Sequence, residues 1–137
     1  MLVVSAQMCM AINLYKECRG TSDNECQLIN RVVLNRMHQT GQDACSVIFE
    51  KGQFSWTRKT HKKLEFDDYN QMVSYYNIKE PEQLVRSFDN VDKSQEEDSF
   101  AAKSSQSMTY YYDKSLQKQP KWAKRMAVAY RTKHFIF

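Results

Sequence analysis

Apolar side chains recur three and four positions apart near the N-terminus, the spacing that places them on one face of a helix. The residues with this spacing are Val4, Met8, Ala11, Ile12 and Tyr15. Gly20 follows a few positions later, and glycine suits the left-handed conformation in which many helices end. The pattern predicts a first helix that runs to about residue 18.

A second helix has a clearer start signal. Ser22 and Glu25 have the spacing of a capping box, in which each side chain accepts a hydrogen bond from the backbone N–H of the other residue. An apolar face follows at Leu28, Ile29, Val32, Val33 and Met37. We predict a helix that begins at about residue 24 and is ended by Gly41.

The middle of the chain carries weaker signals. Residues 44–56 predict a short apolar turn that leads into a loop at Gly52, and residues 67–77 predict a helix. Pro81 suits the first turn of a further short helix. Residues 90–107 are polar, and their pattern leaves part helix and part loop open.

Towards the C-terminus, "MTYYYD" (residues 108–113) has the composition of a strand. Pro120 predicts a brief helical turn, and residues 126–130 and 134–137 predict a small hairpin. No repeat or linker interrupts the chain. The prediction is a single, mainly α domain (α+β) over residues 1–137 with a small β element.

Composition and net charge limit the classes of partner that the protein is expected to bind. The net charge of +4 is a mild bias towards anionic partners such as nucleic acid, a membrane surface or a cell wall. No apolar run approaches the roughly 18 residues of a membrane span, so no membrane insertion is expected. The first residues lack the basic segment and cleavage site of a secretory signal. We therefore expect synthesis in a cytoplasm without a signal peptide.

Four cysteines stand at positions 9, 18, 26 and 45, and three histidines at 38, 61 and 134. The spacing contains no C-x-x-C pair, and the histidines are scattered, so neither residue type forms a recognisable zinc motif. The sequence predicts free thiols, no metal site and no cofactor.

Glu17 is a lone acid at the end of the first apolar stretch. A carboxylate in the last turn of a helix faces the negative end of the helix dipole, which penalises its ionised form. Burial beside aromatic side chains would raise its pKa further, and a protonated carboxyl group is what a general acid requires. The alternative is an exposed glutamate paired with Lys16 or Arg19, and the residues by themselves favour that alternative.

Several separated segments of the sequence favour the general-acid role of Glu17 over an exposed, paired glutamate. They are "YKECRG", "VVLNRM", "CSVIFEKGQFSW", "TYYYDKSL", "KWAKR" and "HFIF". In order and approximate spacing they resemble the spore-cortex-lytic (SleB-type) cell-wall hydrolases, whose blocks read Y-x-E-A-R-G-E, V-x-L-N-R-V, C-x-V-V-Y-x-x-x-Q-F-S and Y-F-x-N…W…H-x-F. The resemblance covers nearly the whole chain apart from residues 58–107. It implies a lysozyme-like fold and cleavage of the peptidoglycan glycan strand at the MurNAc–GlcNAc β-1,4 bond.

The resemblance also implies a mechanism. The family's catalytic glutamate falls on Glu17, and the family reaction is typically that of a lytic transglycosylase with one carboxyl group. The family's second glutamate is Thr21 here, its next acid is Asn24 and its alanine is Cys18. A muramidase (lysozyme) with two carboxylates stays an alternative. Its second acid would be Glu25, Glu50, Asp67 or Asp68.

Further site residues are expected from the matching blocks. Sugar contacts are predicted for Gln53, Phe54, Ser55, Trp56 and Tyr111. Structural support of the site is predicted for Arg19, Gly20, Asn35 and His134. In particular, Asn35 is expected to orient the catalytic turn, and Arg19 to pair with an acid near it.

Two other functions stay open at this point. A cysteine peptidase would use Cys18 or Cys45 as its nucleophile. A non-enzymatic wall-binding module would use the basic, aromatic-rich residues 114–133, a composition that also occurs in nucleic-acid binders. We expect a monomer that binds peptidoglycan rather than nucleic acid. We also expect a bacteriophage protein that acts at the bacterial wall, as an endolysin or as part of a virion.

Overall fold

The computed structural model describes residues 1–96, 108, 111–113 and 132–137. The helices are α1 (Ala6–Glu17), α2 (Asp23–Thr40), α3 (Ala44–Ile48), α4 (Tyr69–Tyr75) and α5 (Pro81–Gln95), with a 3-10 turn at Ser55–Arg58. The strands are β1 (Leu2–Val3), β2 (Glu65–Phe66), β3 (Tyr112–Asp113) and β4 (Phe135–Ile136). The fold is mainly helical with a small β component, compatible with a lysozyme-like domain, as predicted. The helical turn expected at Pro120 and the basic residues 114–131 lie outside the described residues.

Helix α1 is the centre of the domain. Its residues from Cys9 to Tyr15 are all buried, so the helix is surrounded by protein on every side. It packs against α5 and α3 and, less extensively, against α2. The Ser5 hydroxyl caps its first turn by accepting a hydrogen bond from the Met8 N–H. The helix predicted to end at about residue 18 is confirmed.

Helix α2 confirms the predicted capping box. Ser22 Oγ accepts from the Glu25 N–H, and the Glu25 carboxylate accepts from the Ser22 N–H. Gly41 ends the helix in the left-handed conformation at φ 74°, where a β-carbon would be strained. Within the described parts of the chain, no helix is both long and apolar enough to cross a bilayer.

Helix α5 begins at Pro81, as predicted, but it continues to Gln95. Its buried face includes the polar residues Ser87, Asn90 and Ser94. Asn90 Oδ1 accepts a hydrogen bond from Gln27 of α2, and Ser94 Oγ accepts one from Asn30 of the same helix. Because hydrogen bonds between polar side chains pair this surface, a search for apolar periodicity underestimates the helix length.

Helices α3 and α4 are short. The predicted apolar turn forms α3, which Asp43 caps by accepting from the Ser46 N–H. The helix predicted over residues 67–77 is confirmed with trimmed ends. Asp68 is the cap rather than the first turn of α4, and Asn77 lies past its end at φ 55°.

The strands form two antiparallel pairs. Leu2 pairs with Phe66 in β1–β2, a pairing that the sequence did not indicate. The expected strand in residues 108–113 is present as β3. Strand β4 pairs with β3, with Tyr112 opposite Ile136. The hairpin expected between residues 126–130 and 134–137 involves residues that lie outside the described ones. Local patterns show that a segment favours a strand, but the partner depends on the tertiary fold.

The prediction of free thiols is wrong. All four cysteines form disulfides, Cys9 with Cys45 and Cys18 with Cys26. Their Cα atoms are 5.4 and 5.5 Å apart, within the usual disulfide range. The first bond joins α1 to α3, and the second joins the end of α1 to the first turn of α2. Spacing along the chain does not show these approaches, because they arise from helix packing.

Candidate active site

Glu17 is the last residue of α1 and is half-buried. The chain turns away immediately after it, because Gly20 has a φ of 80°, which glycine adopts without strain. The Tyr111 hydroxyl donates a hydrogen bond of 3.2 Å to Glu17 Oε2. The buried central helix therefore presents one carboxylate at its end, and a tyrosine from a distant segment contacts it.

Tyr111 stands in an aromatic cluster. Its ring stacks on Phe137, with centroids 5.5 Å apart, and meets the edge of Phe135 at the same distance. Phe54 lies against it at 6.3 Å. Three of the residues predicted for the site, Glu17, Phe54 and Tyr111, are thus brought together.

Trp56 has a different set of neighbours. Its indole N–H donates a 2.8 Å hydrogen bond to Asn13 Oδ1, and its ring meets Phe49 and Tyr76 edge to face. Asn13 is fully buried and lies one helical turn before Glu17, on the same face of α1. Asn13 was not among the residues predicted for the site. A lone amide within an apolar helical run was the signal that could have found it.

Gln53 and Ser55 are placed beside Phe54, but the described residues give their side chains no hydrogen-bond partner. Gln53 is half-buried in the turn after α3, where its N–H donates to the Glu50 carbonyl oxygen. Ser55 is exposed at the start of the 3-10 turn. Their predicted contact with substrate stays a prediction.

Arg19 pairs with an acid, as expected, and that acid is Glu80 at the start of α5. Its guanidinium group contacts the Glu80 carboxylate at 3.2 Å and the Tyr15 hydroxyl at 3.2 Å. The same hydroxyl accepts from the backbone N–H groups of Lys79 and Glu80. Arg19 and Tyr15 therefore fasten the end of α1 to the start of α5.

Asn35 supports the segment that carries Tyr111. Its side-chain amide donates a 2.8 Å hydrogen bond to the carbonyl oxygen of Met108, which is buried. The predicted role of Asn35 in orienting the turn after Glu17 stays a prediction. The described hydrogen bond reaches the backbone three residues before Tyr111.

His134 contacts Glu25, the acid predicted for the capping box of α2 and considered as a possible second carboxylate. His134 Nδ1 lies 2.8 Å from Glu25 Oε1, and the His134 N–H donates to Oε2 at 2.8 Å. Thr132 donates a hydroxyl hydrogen bond to the same Oε2. Burial raises the pKa of Glu25, but the hydrogen bonds from Thr132, His134 and Ser22 together outweigh it and lower the pKa to about 2.

The other candidate second carboxylates have partners of their own. Glu50 forms an ion pair of 2.9 Å with Arg36. Asp68 caps α4 by accepting from the Gln71 N–H, and Asp67 accepts from the Gln71 side chain. Glu50, Asp67 and Asp68 therefore each contact another side chain or backbone group of the protein.

A cysteine nucleophile is excluded by the disulfides. Cys18 and Cys45, the two candidates, are each bonded to another cysteine, and a disulfide sulfur carries no thiolate for attack. The peptidase alternative is therefore rejected for this structure.

Comparison with known proteins identifies the family. The family described as Cell Wall Hydrolase matches residues 20–137. The chain belongs to this cell wall hydrolase family. Membership supports an enzyme that acts on peptidoglycan. The matched region begins at Gly20 and does not include Glu17. The chain shows no significant similarity to any curated protein or to any solved structure.

Proposed function

We propose that the protein is a lytic transglycosylase that cleaves the MurNAc–GlcNAc β-1,4 bond of peptidoglycan, with Glu17 as its single catalytic carboxyl group. The observation that carries this proposal is the contact between Glu17 and Tyr111 at the end of the central helix. This contact joins one half-buried acid to a tyrosine of an aromatic cluster in a member of a cell wall hydrolase family.

The reaction needs a group that first gives and then takes one proton. Glu17 would protonate the glycosidic oxygen as the bond from C1 of the muramic acid to that oxygen breaks. The Glu17 carboxylate would then accept the proton of the muramic acid 6-hydroxyl while its oxygen attacks C1. The products are a free 4-hydroxyl and a 1,6-anhydro end, and no water is consumed.

Tyr111 is a suitable hydrogen-bond partner for a carboxyl group that gives and then takes a proton. A phenol hydroxyl both donates and accepts hydrogen bonds, so it can contact a carboxyl group in either protonation state. It donates to the carboxylate form and accepts from the protonated form. Tyr111 would therefore keep Glu17 oriented through both proton transfers.

The other candidate acids are already bound to protein groups, which supports a mechanism with one carboxyl group. Hydrolysis with two carboxylates requires a second acid at a defined distance across the sugar. Glu25 is buried under five hydrogen-bond contacts, and Glu50 is paired with Arg36. Recruiting either acid would break contacts that the fold already makes.

The aromatic residues beside the carboxylate are proposed to bind the glycan. Tyr111 is half-buried and offers ring surface next to Glu17, and Trp56 offers a half-buried indole whose N–H is already fixed by Asn13. Phe54 is only 3% exposed, so it supports the Tyr111 ring from the core rather than contacting a sugar. A fixed ring loses little conformational entropy when a sugar stacks on it. Gln53 and Ser55 are proposed to hydrogen-bond the acetamido or hydroxyl groups of the same sugars.

The two disulfides support action outside a reducing cytoplasm, since disulfides persist in the periplasm and beyond the cell. We propose that the enzyme reaches the wall for a bacteriophage, either to lyse the host or to penetrate its wall. Detection of the protein in purified virions would support the second role, and its restriction to late lysates the first.

Mass spectrometry of digested peptidoglycan tests the reaction. A transglycosylase yields muropeptides with 1,6-anhydro ends. Reducing muramic acid ends would indicate a muramidase instead, and free stem peptides an amidase. Either of these outcomes contradicts the proposal, as does an unchanged product yield from Glu17→Gln.

A further inference from the structure

One buried acid transfers no proton in the proposed reaction. Glu25 is 3% exposed and lies in the first turn of α2. We propose that Glu25 is a positioning residue that anchors the C-terminal turn, residues 132–135, and so holds the Tyr111 hydroxyl against Glu17. This inference rests on the proposed function, because it assigns Glu25 a part in the reaction of Glu17.

The Glu25 carboxylate has more partners than a helix cap requires. A capping box needs only the hydrogen bond from the Ser22 N–H, which Glu25 Oε1 accepts at 3.3 Å together with one from Ser22 Oγ at 3.2 Å. Three further contacts come from Thr132 and His134. We call Glu25, Thr132 and His134 the C-terminal clamp.

The hydrogen-bonding capacity of the Glu25 carboxylate is also fully used. An ionised carboxylate offers about four lone-pair positions, and Glu25 has five contacts to its two oxygens. Neither oxygen is left to orient a water on a sugar. This arrangement suits an anchor rather than a second catalytic acid.

The turn held by the clamp leads directly into β4. Two hydrogen bonds between Thr132 and Phe135 close the turn. The Thr132 N–H donates to the Phe135 carbonyl oxygen, and the Phe135 N–H donates to Thr132 Oγ1. Phe135 is then paired with Asp113 in β3. A displacement of residue 132 is therefore transmitted to the strand that begins next to Tyr111.

The aromatic contacts transmit the same displacement to the tyrosine ring. Tyr111 is packed between Phe135 and Phe137, the two buried residues of the C-terminal segment. Its hydroxyl reaches Glu17 Oε2. The ring position, and with it the donor on Glu17, thus depends on where the clamp holds the C-terminus.

A covalent link completes the arrangement. The residues that follow Glu17 and Glu25 are Cys18 and Cys26, which form a disulfide. The two glutamates are therefore joined on one side by this bond and on the other by the clamp, β4, β3 and Tyr111. Such a ring of contacts keeps the distance between the anchor and the catalytic candidate constant.

The test compares clamp variants in two backgrounds. Thr132→Val and Glu25→Gln are each introduced into the natural chain and into a Tyr111→Phe variant, and kcat and KM are measured on solubilised glycan chains. We expect each change to lower kcat by about tenfold in the natural background, because small displacements of catalytic groups have large effects on rate. KM should change little. In the Tyr111→Phe background the same changes should lower kcat no further.

Ser22→Ala is the matched control. It removes the hydroxyl contacts of the cap but leaves the clamp intact. We expect a lower unfolding temperature and an unchanged kcat. A loss of kcat equal to that of Thr132→Val would mean that Glu25 acts only as a helix cap, and the inference would be rejected.

The remaining outcomes separate the two proposals. Equal losses from Thr132→Val in both backgrounds, or none in folded Thr132→Val, overturn the inference while the role of Glu17 stands. Full cleavage by Glu17→Gln overturns the proposed function itself. Thr132→Val decides the matter if Glu25→Gln does not fold, since it removes one hydroxyl and keeps the side-chain shape.

Discussion

At the scale of single residues, the proposed chemistry depends on one carboxyl group. Glu17→Gln keeps the shape of the side chain and removes its ability to transfer a proton. We expect cleavage of purified sacculi to fall by at least about 100-fold, because general acid–base catalysis contributes roughly 10²–10⁴ in rate. The fall in turbidity of a wall suspension measures the rate, and circular dichroism checks the fold.

Glu82→Gln is the matched control for that change. Glu82 is an exposed acid in the first turn of α5, so the same loss of a carboxylate there should leave the rate unchanged. A comparable loss in both variants would show that the effect reflects net charge on an anionic wall and would count against Glu17.

Tyr111 gives a second prediction at this scale. Tyr111→Phe keeps the ring that packs on Phe54, Phe135 and Phe137 but removes the hydroxyl that contacts Glu17. A hydrogen bond to a charged group contributes about 1.5–3 kcal/mol, so we expect kcat to fall by roughly tenfold or more with little change in unfolding temperature. An unchanged kcat would remove Tyr111 from the mechanism.

At the scale of elements, the two disulfides differ in the length of chain they close. Cys9–Cys45 spans 36 positions and Cys18–Cys26 spans 8. The loop-entropy estimate is about 4 kcal/mol for the first and about 2.5 kcal/mol for the second. We therefore expect Cys9→Ser/Cys45→Ser to lower the free energy of unfolding more than Cys18→Ser/Cys26→Ser does.

Denaturant unfolding of the two double variants measures this difference. Replacing both partners of one disulfide leaves no unpaired thiol that could exchange with the other disulfide. The two double variants can therefore be compared directly in their free energy of unfolding. A greater loss from the shorter bond would show that contacts at the end of α1, rather than chain entropy, dominate its contribution. Retained cleavage by Cys18→Ser/Cys26→Ser would also confirm that neither cysteine is a nucleophile.

Helices and strands differ in how far the sequence predicts them. The capping box of Ser22 and Glu25 and the φ > 0 position of Gly41 are local, and both bounds of α2 followed from them. The end of α5 did not, since its buried face includes the polar residues Ser87, Asn90 and Ser94 beside Leu84 and Val91. Polar side chains of this kind become core residues only when another helix supplies their hydrogen bonds.

At the scale of the whole molecule, the clamp makes stability depend on pH. The folded pKa of Glu25 is about 2, below its ordinary value of 4.5, so the folded state binds this proton less tightly than the unfolded state. The contribution is complete above about pH 4.5 and is lost as the pH falls towards 2. The difference in pKa corresponds to roughly 3 kcal/mol.

Denaturant titrations between pH 7 and pH 2 measure this contribution. We expect the free energy of unfolding of the natural chain to fall through the window from pH 4.5 to pH 2 more steeply than that of Glu25→Gln. Asp23 contributes a slope of the same sign in both proteins, because hydrogen bonds from Asn90 and Arg86 lower its pKa. Parallel curves for the two proteins would contradict the assignment to Glu25.

The sequence by itself determined the features that are encoded locally. These are the helical class of the fold, the capping box, the glycine turns after α1 and α2, and the position of Glu17 at a helix end. Each depends on a few neighbouring residues, so spacing and residue type suffice. The family blocks added the expectation that this acid cleaves a wall glycan.

Only the tertiary structure decided which distant residues meet. It paired all four cysteines, gave β4 its partner β3, and placed Tyr111 on Glu17. It also showed that Glu25 is a buried anchor of the C-terminus rather than a free acid. These contacts join residues up to 109 positions apart, and they form because helix packing brings their segments together, which no local pattern records.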